Sequence, residues 1–186
     1  MQRFALLAAA AILAVPTAAG AATPSKDPVL DVFRNICAAH AGDYAATLKA
    51  ADTSGWVDAQ VTVPPAPAIT VTSQAARSLD LNGANLTLLV SSGLQHMKSG
   101  DQPEITCRIE SDKPDAAAIS ETQAWLGFKP EDGSDSSLAF FFATGAPDQL
   151  VHNTSQTIPP GGLSLIKVQQ DDSSAILIDQ FFVGKP

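Results

Sequence analysis

The 186-residue sequence predicts an α+β fold: an N-terminal αα-hairpin plus a mostly antiparallel sheet of about five or six strands with one further helix. Three observations predict it. Apolar residues recur at helical spacing soon after a short leader, they alternate with period two through the middle, and strand-like runs separated by turn residues close the chain. No repeat period and no long linker divides the sequence, so residues 23–186 read as one domain.

Residues 1–22 have the three parts of a secretory signal. Arg3 supplies the positive start, Phe4 to Val15 an apolar run, Pro16 a break, and Ala19-Gly20-Ala21 the small residues that precede cleavage. The apolar run is shorter than the roughly 20 residues that a spanning helix needs. The expectation is a cleaved leader, no membrane span after cleavage, and a periplasmic or secreted product.

In the mature chain, Asp27 is placed to cap a helix whose first position is Pro28. Val29, Val32, Phe33, Ile36 and Cys37 share one face of it. Gly42 ends this segment, and Asp43 caps a second helix through about Thr53, with Tyr44, Leu48 and Ala51 on its buried side. Trp56 is expected to pack where the chain turns toward the sheet. Pro64-Pro65-Ala66-Pro67 then forms a stiff connector.

Asn82-Gly83 between Arg77–Leu81 and Asn85–Ser91 is a hairpin signal, because both turn residues tolerate positive φ. From Glu104 to Glu110, Ile105, Cys107 and Ile109 point one way and polar residues the other. Asp115 to Leu126 reads as the third helix, ended by Gly127. Leu138 to Thr144 is apolar on both faces and reads as a central strand. Leu163–Val168 and Ala175–Val183 complete the sheet around Asp171-Asp172-Ser173-Ser174.

Composition excludes some functions. The net charge is -8, and loss of Arg3 leaves ten basic side chains against nineteen acidic ones. With no basic cluster, such a surface repels phosphate backbones, so a nucleic-acid partner is excluded. Two cysteines, Cys37 and Cys107, in a chain addressed to an oxidising compartment read as a disulfide. Closing a loop of that length stabilises by roughly 4 kcal/mol at most on the chain-entropy model. Their wide spacing argues against a redox pair.

Chemistry-bearing motifs are sparse. His40, His96 and His152 do not stand at metal-ligand spacing, and there is no H-x-x-x-H, Cys-x-x-Cys, G-x-S-x-G or phosphate loop. No cofactor and no metal site is expected. His40 lies one turn beyond Cys37. A histidine at a helix C-terminus answering the dipole is its ordinary role, and with Asp43 it is the best polar cluster in the N-terminal half. Glu131, Asp132 and Asp135 lack calcium-loop spacing and read as a solvated loop. Ser91-Ser92-Gly93 and Ser134-Asp135-Ser136-Ser137 read as turns. Asp179 sits in the last strand among Ile and Phe. This calls for either a wet edge or a cation such as Arg108, and makes it a further candidate site residue.

The pattern Phe33-Arg34-Asn35-Ile36-Cys37, then Gly42-Asp43 and Gly55-Trp56, resembles a loose family of small secreted bacterial proteins of unassigned function. Cys107-Arg108-Ile109 and Ala124-Trp125-Leu126-Gly127 continue the resemblance. It implies a shared α+β fold and a shared disulfide, and transfers no active site. The leading expectation is an exported, non-enzymatic module that binds a small ligand or an envelope protein. One alternative is an envelope hydrolase built around His40 and Asp43, and another is an inhibitor or interaction protein with an exposed apolar patch.

Overall fold

The structure, a computed structural model, describes residues 27–62, 67–132, 137–146, 148–155 and 157–185. The leader, the Thr23–Lys26 tail, most of the proline connector and the acidic and serine residues at 134–136 lie outside the described residues.

Helix α1 (Pro28–Ile36) starts where Asp27 Oδ1 accepts the Val29 N–H at 2.8 Å, and its Val29, Leu30, Phe33 and Ile36 are buried. A 3-10 turn (Ala38–His40) separates it from α2 (Tyr44–Thr53), which Asp43 caps. Strands follow: β1 (Val57–Asp58), β2 (Ile69–Leu81), β3 (Ala84–Met97) and β4 (Gly100–Ser111). Then come α3 (Ala118–Leu126), β5 (Leu138–Thr144), β6 (Val151–His152), β7 (Leu163–Gln170) and β8 (Ala175–Phe182).

The expectation of five or six strands is corrected. There is one sheet of eight strands, in the order β1-β2-β3-β4-β8-β7-β5-β6, with every pairing antiparallel. The two strands missed, β1 and β6, have two residues each. That is too short for alternation to register. The expected αα-hairpin is also corrected to two short helices that pack on β4 and β3 respectively.

Residues directly opposite each other share a sheet face. The row Arg77–Leu88–Ile109–Leu177–Val168–Ala139 and the row Ala75–Val90–Cys107–Asp179–Ile166–Phe141 therefore face one way. All three helices lie on that side. Cys37 of α1 is bonded to Cys107, Arg77 holds Asp52 of α2 at 2.8 Å, and α3 packs on β7. The disulfide thus pins the first helix to the middle of the sheet. Phe33, Phe141, Leu88, Ile109, Ile166 and Leu177 are fully buried in this layer. Each such side chain contributes about 1.5–3 kcal/mol on burial.

Leu138–Thr144 is not a central strand. β5 lies next to the sheet margin, flanked by β7 on one side and by short β6 and an Asp132–Phe140 bridge on the other. Its second apolar face, Leu138, Phe140 and Phe142, is half-buried on the side of the sheet without helices.

Candidate functional site

The side of the sheet opposite the helices carries the row Leu89–Arg108–Ile178–Lys167–Phe140. Next to it, Leu165 and Phe142 extend the apolar surface, and all of these side chains are half-buried. A polar chain is set within it. Lys167 Nζ donates to Gln180 Oε1 at 2.8 Å, and Gln180 Nε2 donates to Glu104 Oε2 at 2.6 Å and to Gln95 Oε1 at 3.3 Å. Glu104 and Gln180 are buried, at 4% and 6% exposure. Burial pushes the Lys167 ammonium down from its ordinary value, and the charge of Glu104 opposes that shift. The result is an apolar face with a hydrogen-bonded polar centre, among the described residues covered by no helix.

A second feature is a cleft of about 420 Å³ between the start of α1, the β2–β3 turn and the start of α3. Asp27, Lys113, Asp115 and Glu121 supply its charged lining, and Val29 and Leu81 are among its apolar walls. Asp27 is pushed up to about 7, first by burial and then by its hydrogen bond to Asp115 and that group's charge. Two carboxylates are acceptors only, so this bond exists when one of them holds a proton. Asp115 also accepts from the Ala117 N–H at 2.9 Å. That proton joins the Asp27 cap of α1 to the turn that leads into α3.

A third arrangement lies at the far ends of β2, β3 and β4. His96 Nδ1 stands 2.8 Å from Asp101 Oδ1, and His96 Nε2 stands 2.9 Å from Thr70 Oγ1. The sequence pattern does not mark it, because the apolar alternation stops at Ser91 and resumes at Glu104, while the strands themselves run on to Met97 and from Gly100. Recognising a two-residue turn at Lys98-Ser99 would have set His96 opposite Asp101, as the register does.

His40 and Asp43 are neighbours through the backbone. The Asp43 N–H donates to the His40 carbonyl at 3.0 Å, while the Asp43 carboxylate accepts from Ala46 at 2.9 Å as the α2 cap. Among the described residues, no hydrogen bond joins the His40 ring to a carboxylate. The expectation that Asp179 sits at a wet edge or meets Arg108 is corrected. Arg108 points to the opposite face and pairs with Glu110 at 2.5 Å. β8 is central, and Asp179, 2% exposed, lies opposite Cys107 on the helix-covered side. Burial pushes its carboxyl up to about 7, and a hydrogen bond with Ser164 opposes this. His152 meets Glu131 and stacks on Phe128 at 4.7 Å. Among the described residues, no three potential metal ligands gather and no helix is long and apolar enough to cross a membrane. Comparison with protein-family models, curated proteins and solved structures found no match to this chain.

Proposed function

We propose that this chain is an exported binding protein whose contact surface is the helix-free face of its sheet. The observation that carries the proposal is β5. A strand apolar on both sides stands beside a sheet margin, with Phe140 and Phe142 on the face that no helix covers. Apolar sheet faces are ordinarily buried against another layer, and large uncovered ones mark contact sites. Within the Lys167–Gln180–Glu104 chain the ammonium and the carboxylate balance in charge, so a partner that covers it meets no net charge there, and the remaining ammonium N–H groups can donate to that partner. The leader of residues 1–22 and the disulfide support an oxidising, extracytoplasmic setting.

Native mass spectrometry of the protein taken gently from its own compartment tests this reading. The expected result is a retained small ligand or envelope protein that a Phe140→Gln, Ile178→Gln variant no longer holds. Retention by that variant, or a bare mass for the natural protein, would overturn it.

A further inference from the structure

Strands β2, β3 and β4 run for 12 to 14 residues, whereas β8 is eight residues long. The pairing of β4 with β8 begins at Glu104, so residues 100–103 project beyond β8 together with the ends of β2 and β3. On this projection Thr70, His96 and Asp101 form a continuous chain from hydroxyl to imidazole to carboxylate.

The chain depends on a β-bulge. Ser73 pairs with Ser92, but Val71 pairs with Gly93, so Thr72 is the extra residue. Had the register run on unbroken from Ser73–Ser92, Val71 would have met Leu94 and Thr70 would have met Gln95. Val71 would then occupy the face of His96, and Thr70 would point to the other side. The bulge instead pairs Thr70 with Leu94 and puts its hydroxyl on the His96 face. Gly93 permits this. A Cβ there would stand 2.4 Å from the Thr70 carbonyl oxygen. The bulged residue is itself tied down, its hydroxyl donating to the Ser92 carbonyl at 3.0 Å.

The direction of the chain follows from its members. A carboxylate only accepts, so the neutral ring carries its proton on Nδ1 toward Asp101, and Nε2 is left to accept from the Thr70 hydroxyl. That is the arrangement by which a base, oriented by a third group, makes a hydroxyl nucleophilic.

We propose that Thr70 is an acyl-accepting nucleophile, with His96 as its general base and Asp101 as the residue that orients the base, acting on small activated esters. The Thr70 oxygen attacks the acyl carbon, and His96 Nε2 takes the hydroxyl proton. The bond to the leaving alcohol breaks, and the departing oxygen takes that proton. Water, activated by the same nitrogen, then releases the acid and restores Thr70. The His96 and Asp101 side chains are 44% and 58% exposed, so the site is open and suits a small acyl group with a good leaving group. This activity goes beyond the binding reading and uses a different part of the molecule. It departs from the expectation of a non-enzymatic module.

The test uses 4-nitrophenyl acetate with the mature protein. Release of 4-nitrophenolate and an acetyl group on the peptide containing Thr70 are expected. Positioned general-base catalysis contributes on the order of 100-fold or more, so Thr70→Val and His96→Gln should each lose about that much. Thr70→Ser should retain activity, and Asp101→Asn should lower it. Two outcomes overturn the proposal: no release above the His96→Gln protein, or undiminished release by Thr70→Val, which would make the imidazole alone the catalyst.

Discussion

Asp179 and Asp27 are carboxyls that the fold keeps from ionising where free aspartates would. Each has an ordinary value of 3.8 and is pushed up to about 7, in both cases chiefly by burial. Between those two pH values the folded chain holds a proton that the unfolded chain has released. What these two groups contribute to stability is therefore largest below about pH 4, declines as pH rises toward about 7, and levels off above it. Asn has the shape of a protonated Asp and cannot ionise. Asp179→Asn should accordingly raise stability at pH 8 by up to about 4 kcal/mol and change it little at pH 4. Urea unfolding at the two pH values measures this, and an equal gain at both would mean that the charge is not the cause. Asp27 leaves a residual pH dependence in that variant, because its proton is lost over the same range. The sequence showed Asp179 to be misplaced among apolar neighbours. Which face of which strand it occupied decided the rest, and that depends on pairing with β4 and β7.

At the level of elements, legibility followed the strength of local signals. The caps at Asp27 and Asp43, the Asn82-Gly83 turn, where both residues have positive φ, and the left-handed Gly127 were readable because each needs particular residue types. Strands whose burial alternates, such as Leu86–Leu88–Val90 in β3, were readable for a different reason: the helix layer covers one of their faces. What escaped was the far half of β2 and β3, where most side chains are exposed or half-buried and no alternation marks the strand. The Thr70–His96–Asp101 chain lies in that unmarked region, so its three members stayed scattered in the sequence. Ser91-Ser92-Gly93, read as a turn, is instead mid-strand, and Gly93 serves the bulge. A Cβ at Gly93 must displace the Thr70 backbone, so Gly93→Ala should destabilise by about 1–3 kcal/mol, the usual range for overpacking. It should also weaken the His96–Thr70 hydrogen bond. Denaturant unfolding reads the first effect, and the imidazole nitrogen shifts in an NMR spectrum read the second. Loss of stability without a change at His96 would show that the bulge and the Thr70 placement are not coupled.

For the molecule as a whole, two opposing tendencies act on the helix-free face. Its apolar side chains favour contact with another surface, including a second copy of the chain, while the net charge, -8 for the full sequence and one more negative without Arg3, drives copies apart. On the face itself the central charges cancel, Lys167 and Arg108 against Glu104 and Glu110, so the repulsion comes from the rest of the surface. Salt screens repulsion of that kind and leaves apolar contact intact, with a screening length of about 10 Å at 0.1 M and about 3 Å at 1 M. The protein should therefore be monomeric at low ionic strength and self-associate reversibly as sodium chloride rises toward about 1 M. Phe140→Gln with Ile178→Gln removes two half-buried apolar side chains without changing the charge. That variant should stay monomeric throughout, at a stability cost of about 1–2 kcal/mol. Sedimentation velocity across the salt range decides between the two tendencies. Association that persists in the double variant would place the contact elsewhere. A natural protein that stays monomeric at high salt would mean that the face is sufficiently closed by its own neighbouring strands, and the binding surface proposed for it would then have to be abandoned.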